Sequence, residues 1–131
     1  IGTIPQDLKY SGESSELRIG NNNTFREGVT VNPGTNKGGM ITKIENDCLF
    51  MVGVHVAHDC HIFSNVILAN NATLAGHVVI NENAIIGGLS AVHQFVHIGK
   101  YAMVGGMAAA QKAERGVVWR ICKEFDQYLT C

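Results

Sequence analysis

Proton chemistry at neutral pH needs a group that can take and return a proton, and His58 is the first candidate in this sequence. An unperturbed imidazole titrates near pH 6.5, so at pH 7 His58 would be largely neutral and able to accept. Asp59 follows directly and can bond and orient the ring, although adjacency alone does not establish that bond. Counting on from His58 in steps of eighteen reaches Gly76 and then Gln94, with His77 and His93 immediately beside that column. His55, His61 and His97 complete the six histidines. Each of these three precedes a large apolar residue, which suggests a corner position and a solvated or packing role. A lone histidine is often only a satisfied structural group, and that reading stands beside the catalytic one.

Eighteen is the right interval because the chain repeats in sixes. From Ile44 to Ala110, hexads open on Ile44, Phe50, Val56, Ile62, Leu68, Leu74, Ile80, Ile86, Val92, Ile98 and Val104. Two places before an opener stands a small or β-branched residue, among them Cys48, Val54, Cys60, Val66, Ala72 and Ser90. A period of six fits neither a helix nor a plain strand. It is the mark of a solenoid. The expected architecture is all-β, a left-handed parallel β-helix with three hexads per triangular coil. Openers fill the interior, small residues sit inside near the corners, and coils stack at roughly 4.8 Å. His58 and Gln94 would then be about 10 Å apart on one ridge.

Along the chain, Ile1 to Tyr10 reads as the end of an earlier coil, with Ile4 opening its hexad and Gln6, Asp7 and Lys9 following on the His58 edge. Beginning at Ile1-Gly2, the chain leaves room for a lost targeting segment. Register returns at Ile19, Phe25 and Val31. Val31 to Ile44 is then a step of thirteen rather than six, so a loop insertion is expected over 33–43, ejected from the edge that carries Asn32. The repeat domain runs 1–112. The remaining 113–131 has apolar residues at helical spacing (Val118, Ile121, Cys122, Phe125, Tyr128, Leu129), predicting a short C-terminal helical tail. A second column, Asn70, Gly88 and Gly106, is stripped of side chains. It is either a trough for an extended apolar chain or a row of tight turns at positive φ.

Bulk properties narrow the function classes. Residues total 131, enough for one domain with a real core. A net charge of −1 gives no footprint for nucleic acid. No apolar run is long enough for a transmembrane segment. Four cysteines, two of them at inward hexad positions, read as compact apolar residues in a reducing, cytoplasmic compartment rather than as a disulfide framework.

The segments QDLKY (Gln6 to Tyr10), HVAHDC (His55 to Cys60), ILANNATLAGHV (Ile67 to Val78), AIIGGLSAVHQF (Ala84 to Phe95) and MVGG (Met103 to Gly106) resemble the acyl-ACP–UDP-N-acetylglucosamine O-acyltransferases that begin lipid A synthesis. The likeness covers Ile1 to about Lys112. It implies a homotrimer with sites in clefts between subunits. It also implies transfer of a 3-hydroxyacyl group from acyl carrier protein to the 3-hydroxyl of UDP-N-acetylglucosamine. His58 would be the general base, Asp59 would orient it, and the Gly76 N–H would stabilise the oxyanion. His55, His77 and Gln94 would surround the reacting carbon. Asp7 would bind the sugar from a neighbouring subunit, with Gln6 and Lys9 close by, while His93 and the Asn32 loop would lie toward the nucleotide or acyl donor. Gly88, Met103 and Gly106 would form the acyl-chain groove, a glycine at 106 favouring a long chain. The family needs neither metal nor cofactor, because the thioester is already activated.

The chain departs from the family pattern in two places. NPGT at Asn32 to Thr35 stands where some relatives read HRGT, and the tail does not match the relatives' helical domain. Two other readings compete. One is a zinc hydro-lyase of the gamma carbonic anhydrase type, using His55, His58 and His77, or His93 and His97, at about 2.0–2.1 Å from the metal. The other is a truncated, non-catalytic remnant that assembles with intact subunits.

Overall fold

A computed structural model describes residues 1–111. The expected tail helix, at 113–131, lies outside the described residues. Three parallel five-stranded sheets form the faces of a triangular prism, a left-handed parallel β-helix. The first face stacks Glu16–Ile19, Ile41–Ile44, His61–Ile62, Val79–Ile80 and His97–Ile98. The second stacks Thr24–Phe25, Leu49–Phe50, Ile67–Leu68, Ile85–Ile86 and Met103–Val104. The third stacks Thr30–Val31, His55–Val56, Thr73–Leu74, Ala91–Val92 and Ala109–Ala110.

Two-residue strands explain the hexad. Side chains alternate across a strand, so the opener points inward and its predecessor outward. Phe50, Val56, Ile62, Leu68, Leu74, Ile80 and Ile86 are wholly buried, as are the small residues Val54, Val66, Ala72, Val78 and Ala84. Register is set by eighteen, Val56 pairing with Leu74 and Leu74 with Val92. Across the loop it becomes twenty-five, Val31 pairing with Val56. Phe25 stacks flat on Phe50 at 4.6 Å, carrying the core up to the first complete coil.

Corners turn through a left-handed residue. Asp59, Asn65, Asn71, His77, Asn83, Leu89, Phe95, Tyr101 and Met107 all have φ between 57° and 65°. Asn and Asp tolerate this region through local hydrogen bonding, whereas a bulkier residue pays about 1–2 kcal/mol. His77 and Phe95 are thus set by the turn of the coil rather than by their own preference.

Four expectations need correction. The Gly2 N–H donates to the Val31 carbonyl at 2.8 Å, which puts Ile1, not Ile4, over Val31; Ile4 is exposed. His55, His61 and His97 occupy outward strand positions on flat faces, not corners. The ejected loop is shorter than 33–43, because residues 41–43 already belong to the strand Ile41–Ile44 paired with Glu16–Ile19. Lastly, Gly88 and Gly106 do not have positive φ, so their column is not a run of strained turns.

Glycine 87 closes the second face. A Cβ there would sit 2.5 Å from the Gly106 nitrogen and 2.6 Å from the Gly105 carbonyl carbon, backbone that cannot yield. Gly87→Ala is expected to cost about 1–3 kcal/mol in urea melts. Gly88→Ala, with 3.4 Å to the nearest atom, should melt within about 0.5 kcal/mol of the parent. Equal melts for the two variants would contradict this coil stacking.

Candidate active site

The column anticipated at eighteen-residue steps is present at the corner between the third and first faces. The His77 N–H donates to the His58 carbonyl at 3.0 Å and the Phe95 N–H to the Gly76 carbonyl at 3.3 Å, so His58, Gly76 and Gln94 stack coil on coil. The Gly76 N–H itself finds no protein acceptor among the described residues. It is a free donor beside the His58 ring.

His58 Nδ1 lies 2.8 Å from Asp59 Oδ2. Asp59 also accepts the Thr35 N–H on Oδ1 at 2.7 Å and the Thr35 hydroxyl on Oδ2 at 2.5 Å. A carboxylate only accepts, so Nδ1 carries the proton and Nε2 offers its lone pair. The Asp59 side chain has no exposed surface, while 9% of the His58 side chain stays open. Asp59 is further pinned at its own N–H, which donates to Thr42 Oγ1 at 2.8 Å.

Two glycines make room for this pair. A Cβ at Gly76 would stand 2.4 Å from His58 Cε1, and one at Gly38 would stand 2.0 Å from Asp59 Cγ. Gly76 therefore does more than present an amide: it lets the imidazole lie against the next coil.

His77 crosses His58 edge-to-face at 5.1 Å and stacks on Phe95 at 4.5 Å. Burial holds its pKa below the ordinary imidazole value; the Asp59 charge opposes that shift and His58 adds to it. His55 bonds Thr30 Oγ1 through Nδ1 at 2.7 Å, and burial followed by repulsion from His58 lowers its pKa too. Both shifts favour the neutral ring, so His55 and His77 are placed to share hydrogen bonds without competing for a charge on His58.

His58 and His77 open on a cavity of about 480 Å³, which His55 does not line. Its wall includes His58, His77, Gln94 and Phe95 from the corner, Gln6, Asp7, Leu8 and Lys9 from the first residues, and Lys37 from the ejected loop. Six of the expected site residues thus meet in one place. Asp7 lines it within its own chain. Neither Lys9 nor Lys37 has a carboxylate within 4 Å among the described residues, leaving two ammonium groups to face an anion.

Other expected residues lie elsewhere. Asn32 is buried, its amide donating to the Thr3 carbonyl at 3.1 Å, and it does not line the cavity. His93 lines a second, mostly apolar hollow of about 280 Å³ on the third face with Thr73, Ala75, Ala91 and Ala109. Gly88 and Gly106 lie at the corner that leads from the second face into the third, and Met103 on the second face itself. The third face, with His55 and His93, therefore runs between the imidazole ridge and the glycine ridge.

Thr35, Gly38, Thr42 and Lys37 were not anticipated. The signal available was the loop itself, ejected at the His58 edge. Its break in spacing hides which residues fold back.

The metal reading fares poorly on geometry. His93 and His97 lie on different faces, and the donors gathered within 4.8 Å are His58, Asp59 and His77, without His55. Both Asp59 oxygens already accept hydrogen bonds, Oδ1 from the Thr35 N–H and Oδ2 from the Thr35 hydroxyl and His58 Nδ1.

The family model of the bacterial transferase hexapeptide (six repeats) matches residues 41–76. The chain is 61% identical over 109 residues to the acyl-[acyl-carrier-protein]–UDP-N-acetylglucosamine O-acyltransferase of Sulfurovum sp. (strain NBC37-1), covering 83% of this chain and 42% of that protein. Among solved structures, the UDP-N-acetylglucosamine O-acyltransferase from Moraxella catarrhalis RH4 superposes with a TM-score of 0.82 at 50% identity, over 83% of this chain and 42% of that one. The UDP-N-acetylglucosamine acyltransferase from Campylobacter jejuni gives 0.80 at 46% identity, over 86% and 44%. The chain thus spans under half the length of the relatives it matches.

Proposed function

We propose a function from one premise: this chain belongs to the acyl-ACP–UDP-N-acetylglucosamine O-acyltransferase family. It transfers a 3-hydroxyacyl group from acyl carrier protein to the 3-hydroxyl of UDP-N-acetylglucosamine, as lipid A synthesis requires. The observation that carries the reading is the Asp59-held His58, on the wall of a cavity with Lys9 and Lys37, neither of which pairs with a carboxylate among the described residues. Both substrates suit such a cavity, since the sugar nucleotide has a diphosphate and the carrier's prosthetic arm a phosphate.

His58 Nε2 takes the proton of the sugar hydroxyl as its oxygen attacks the thioester carbon. Asp59 stabilises the imidazolium that results. The Gly76 N–H donates to the oxyanion of the tetrahedral intermediate, an interaction worth about 3 kcal/mol when well placed. Collapse breaks the C–S bond, and the departing thiolate receives the proton from His58. Gln94, His77 and His55 position the reacting groups, Asp7, Gln6 and Lys9 hold the sugar nucleotide, and His93 flanks the donor side. Gly88, Met103 and Gly106 line the path of a long acyl chain, which lies where the corner carries no side chain. No metal or organic cofactor takes part.

The working form is a homotrimer in the cytoplasm. Leu8, Phe95, Tyr101 and Met107 are all more than half exposed on a single copy, the apolar surface a partner subunit would cover. Among the described residues no helix is long and apolar enough to cross a membrane, and the thiols of Cys48 and Cys60 are free and buried, burial pushing that of Cys60 up to about 12.

The test is direct. Incubated with UDP-N-acetylglucosamine and a long-chain 3-hydroxyacyl carrier protein, the chain should give the 3-O-acylated sugar nucleotide, and more slowly with a short-chain donor. Bicarbonate dehydration that tracks bound zinc, with no acyl product, would replace this reading with the hydro-lyase.

A further inference from the structure

We propose that Thr35, carried by the ejected loop, is the positioning residue that holds the His58–Asp59 pair in its reactive arrangement. The inference rests on the acyl-transfer reading of the same site. Thr35 does not line the cavity, and its hydrogen bonds go to Asp59 rather than to His58. It is 2% exposed, and both of its donors go to one carboxylate.

The loop is built to deliver those donors. Its neck closes at Gly34, where a Cβ would fall 2.1 Å from the Ile41 nitrogen, so nothing larger fits. Beyond it, the Thr35 carbonyl accepts the Gly38 N–H at 3.1 Å and the Met40 N–H at 3.0 Å, folding 35–40 into a closed turn around the short 3-10 helix Asn36–Gly38. Gly39, at φ 87°, ends that helix in the left-handed region and sends the chain back to the first face. The turn lies flat on Asp59 because Gly38 has no side chain to hold it off.

Asp59 consequently has donors on both oxygens: the Thr35 N–H on Oδ1, and the Thr35 hydroxyl with the His58 Nδ1–H on Oδ2. Two donors from one residue fix the rotation of the carboxylate about its Cβ–Cγ bond. That rotation determines where His58 Nδ1 finds its acceptor, and so where Nε2 points. The buried carboxylate also needs these donors, since an unmatched buried charge is expensive. With Thr35 fixing the acceptor and Gly76 leaving space for the ring, His58 has a single orientation.

Thr35→Val keeps the β-branched shape and the N–H while removing the hydroxyl. It should lower kcat by about 10–100-fold, on the scale of an orientation error near 1 Å, with KM for the sugar nucleotide within about threefold. Thr35→Ser should restore kcat to within about threefold. In an Asp59→Asn background, Thr35→Val should cause no further loss, because it acts through Asp59. Independently of turnover, 15N-labelled histidine should report an Nδ1-protonated His58 in the parent and in Thr35→Ser, and a mixture of tautomers in Thr35→Val. If Thr35→Val does not fold, Thr35→Cys, a weaker donor of similar size, should give intermediate kcat and tautomer populations. Equal losses in Thr35→Ser and Thr35→Val, or additive losses with Asp59→Asn, would overturn the assignment. A parent chain without acyl transfer, but with the expected tautomer pattern, would reject the proposed reaction and leave the clamp standing.

Discussion

His58→Ala is expected to lower kcat by about 10²–10⁴-fold, the range for loss of a positioned general base. KM for UDP-N-acetylglucosamine should hardly move. The groups proposed to hold that substrate, Asp7, Gln6 and Lys9, come from a different segment and keep their places on the cavity wall. The fold should survive as well. Asp59 loses one donor at 2.8 Å but retains both from Thr35, and the space left by the ring opens onto the cavity, where water can enter. Steady-state kinetics alongside a thermal melt separates these claims. A loss of less than tenfold would remove His58 from the chemistry, and a collapsed melt would make it a structural residue instead. The contrast with His77→Ala is informative, because that ring lies further from Asp59, at 3.9 Å, and rests on Phe95.

Much of this arrangement was legible in the order of residues, for a geometric reason. A coil of three identical sides converts an interval of eighteen into vertical neighbours, so His58, Gly76 and Gln94 could be placed on one ridge before any coordinate was known. The openers were equally plain, since a strand of two residues has only one inward position. The same alternation places His55, His61 and His97 on faces rather than at corners. The residue before an inward opener must point outward from the flat of the sheet.

Legibility stopped where the count was interrupted. Between Val31 and Ile44 no period survives, and Thr35 has no charge or ring to draw attention. Its importance comes from the closed turn and from Gly38, which only a folded backbone reveals. The start of the chain failed for a related reason. Ile1 and Ile4 are both apolar, and the sequence offers no second hexad beside them to fix the phase. One hydrogen bond, Gly2 to Val31, settled it. The tight glycine on the second face was also hidden: Gly87 and Gly88 are adjacent and identical, yet a Cβ would fall 2.5 Å from backbone at Gly87 and 3.4 Å from it at Gly88.

Gly76→Ala is expected to lower kcat by about 10²-fold with little change in stability. The new methyl would come within 2.4 Å of Cε1, 2.7 Å of Nε2 and 3.0 Å of Nδ1 of His58, so the whole ring edge is in its way. Gly76 does not have positive φ, so alanine fits the backbone, and restricting the unfolded chain even gives back about 0.4–1 kcal/mol. The strain must therefore be relieved by the imidazole, which has to retreat by roughly 1 Å, a misplacement that can cost about 10²-fold. It cannot retreat while keeping its bond to Asp59, because Thr35 holds that carboxylate still. The substitution also separates two roles given to one residue. Alanine retains the N–H proposed to meet the oxyanion, so that contribution stays while the base is displaced. A variant within about threefold of the parent would mean that the space at Gly76 is immaterial and only its amide matters. A large fall in kcat, with the melt unchanged and an altered tautomer signal from His58, would show that the missing side chain is what keeps the ring in place.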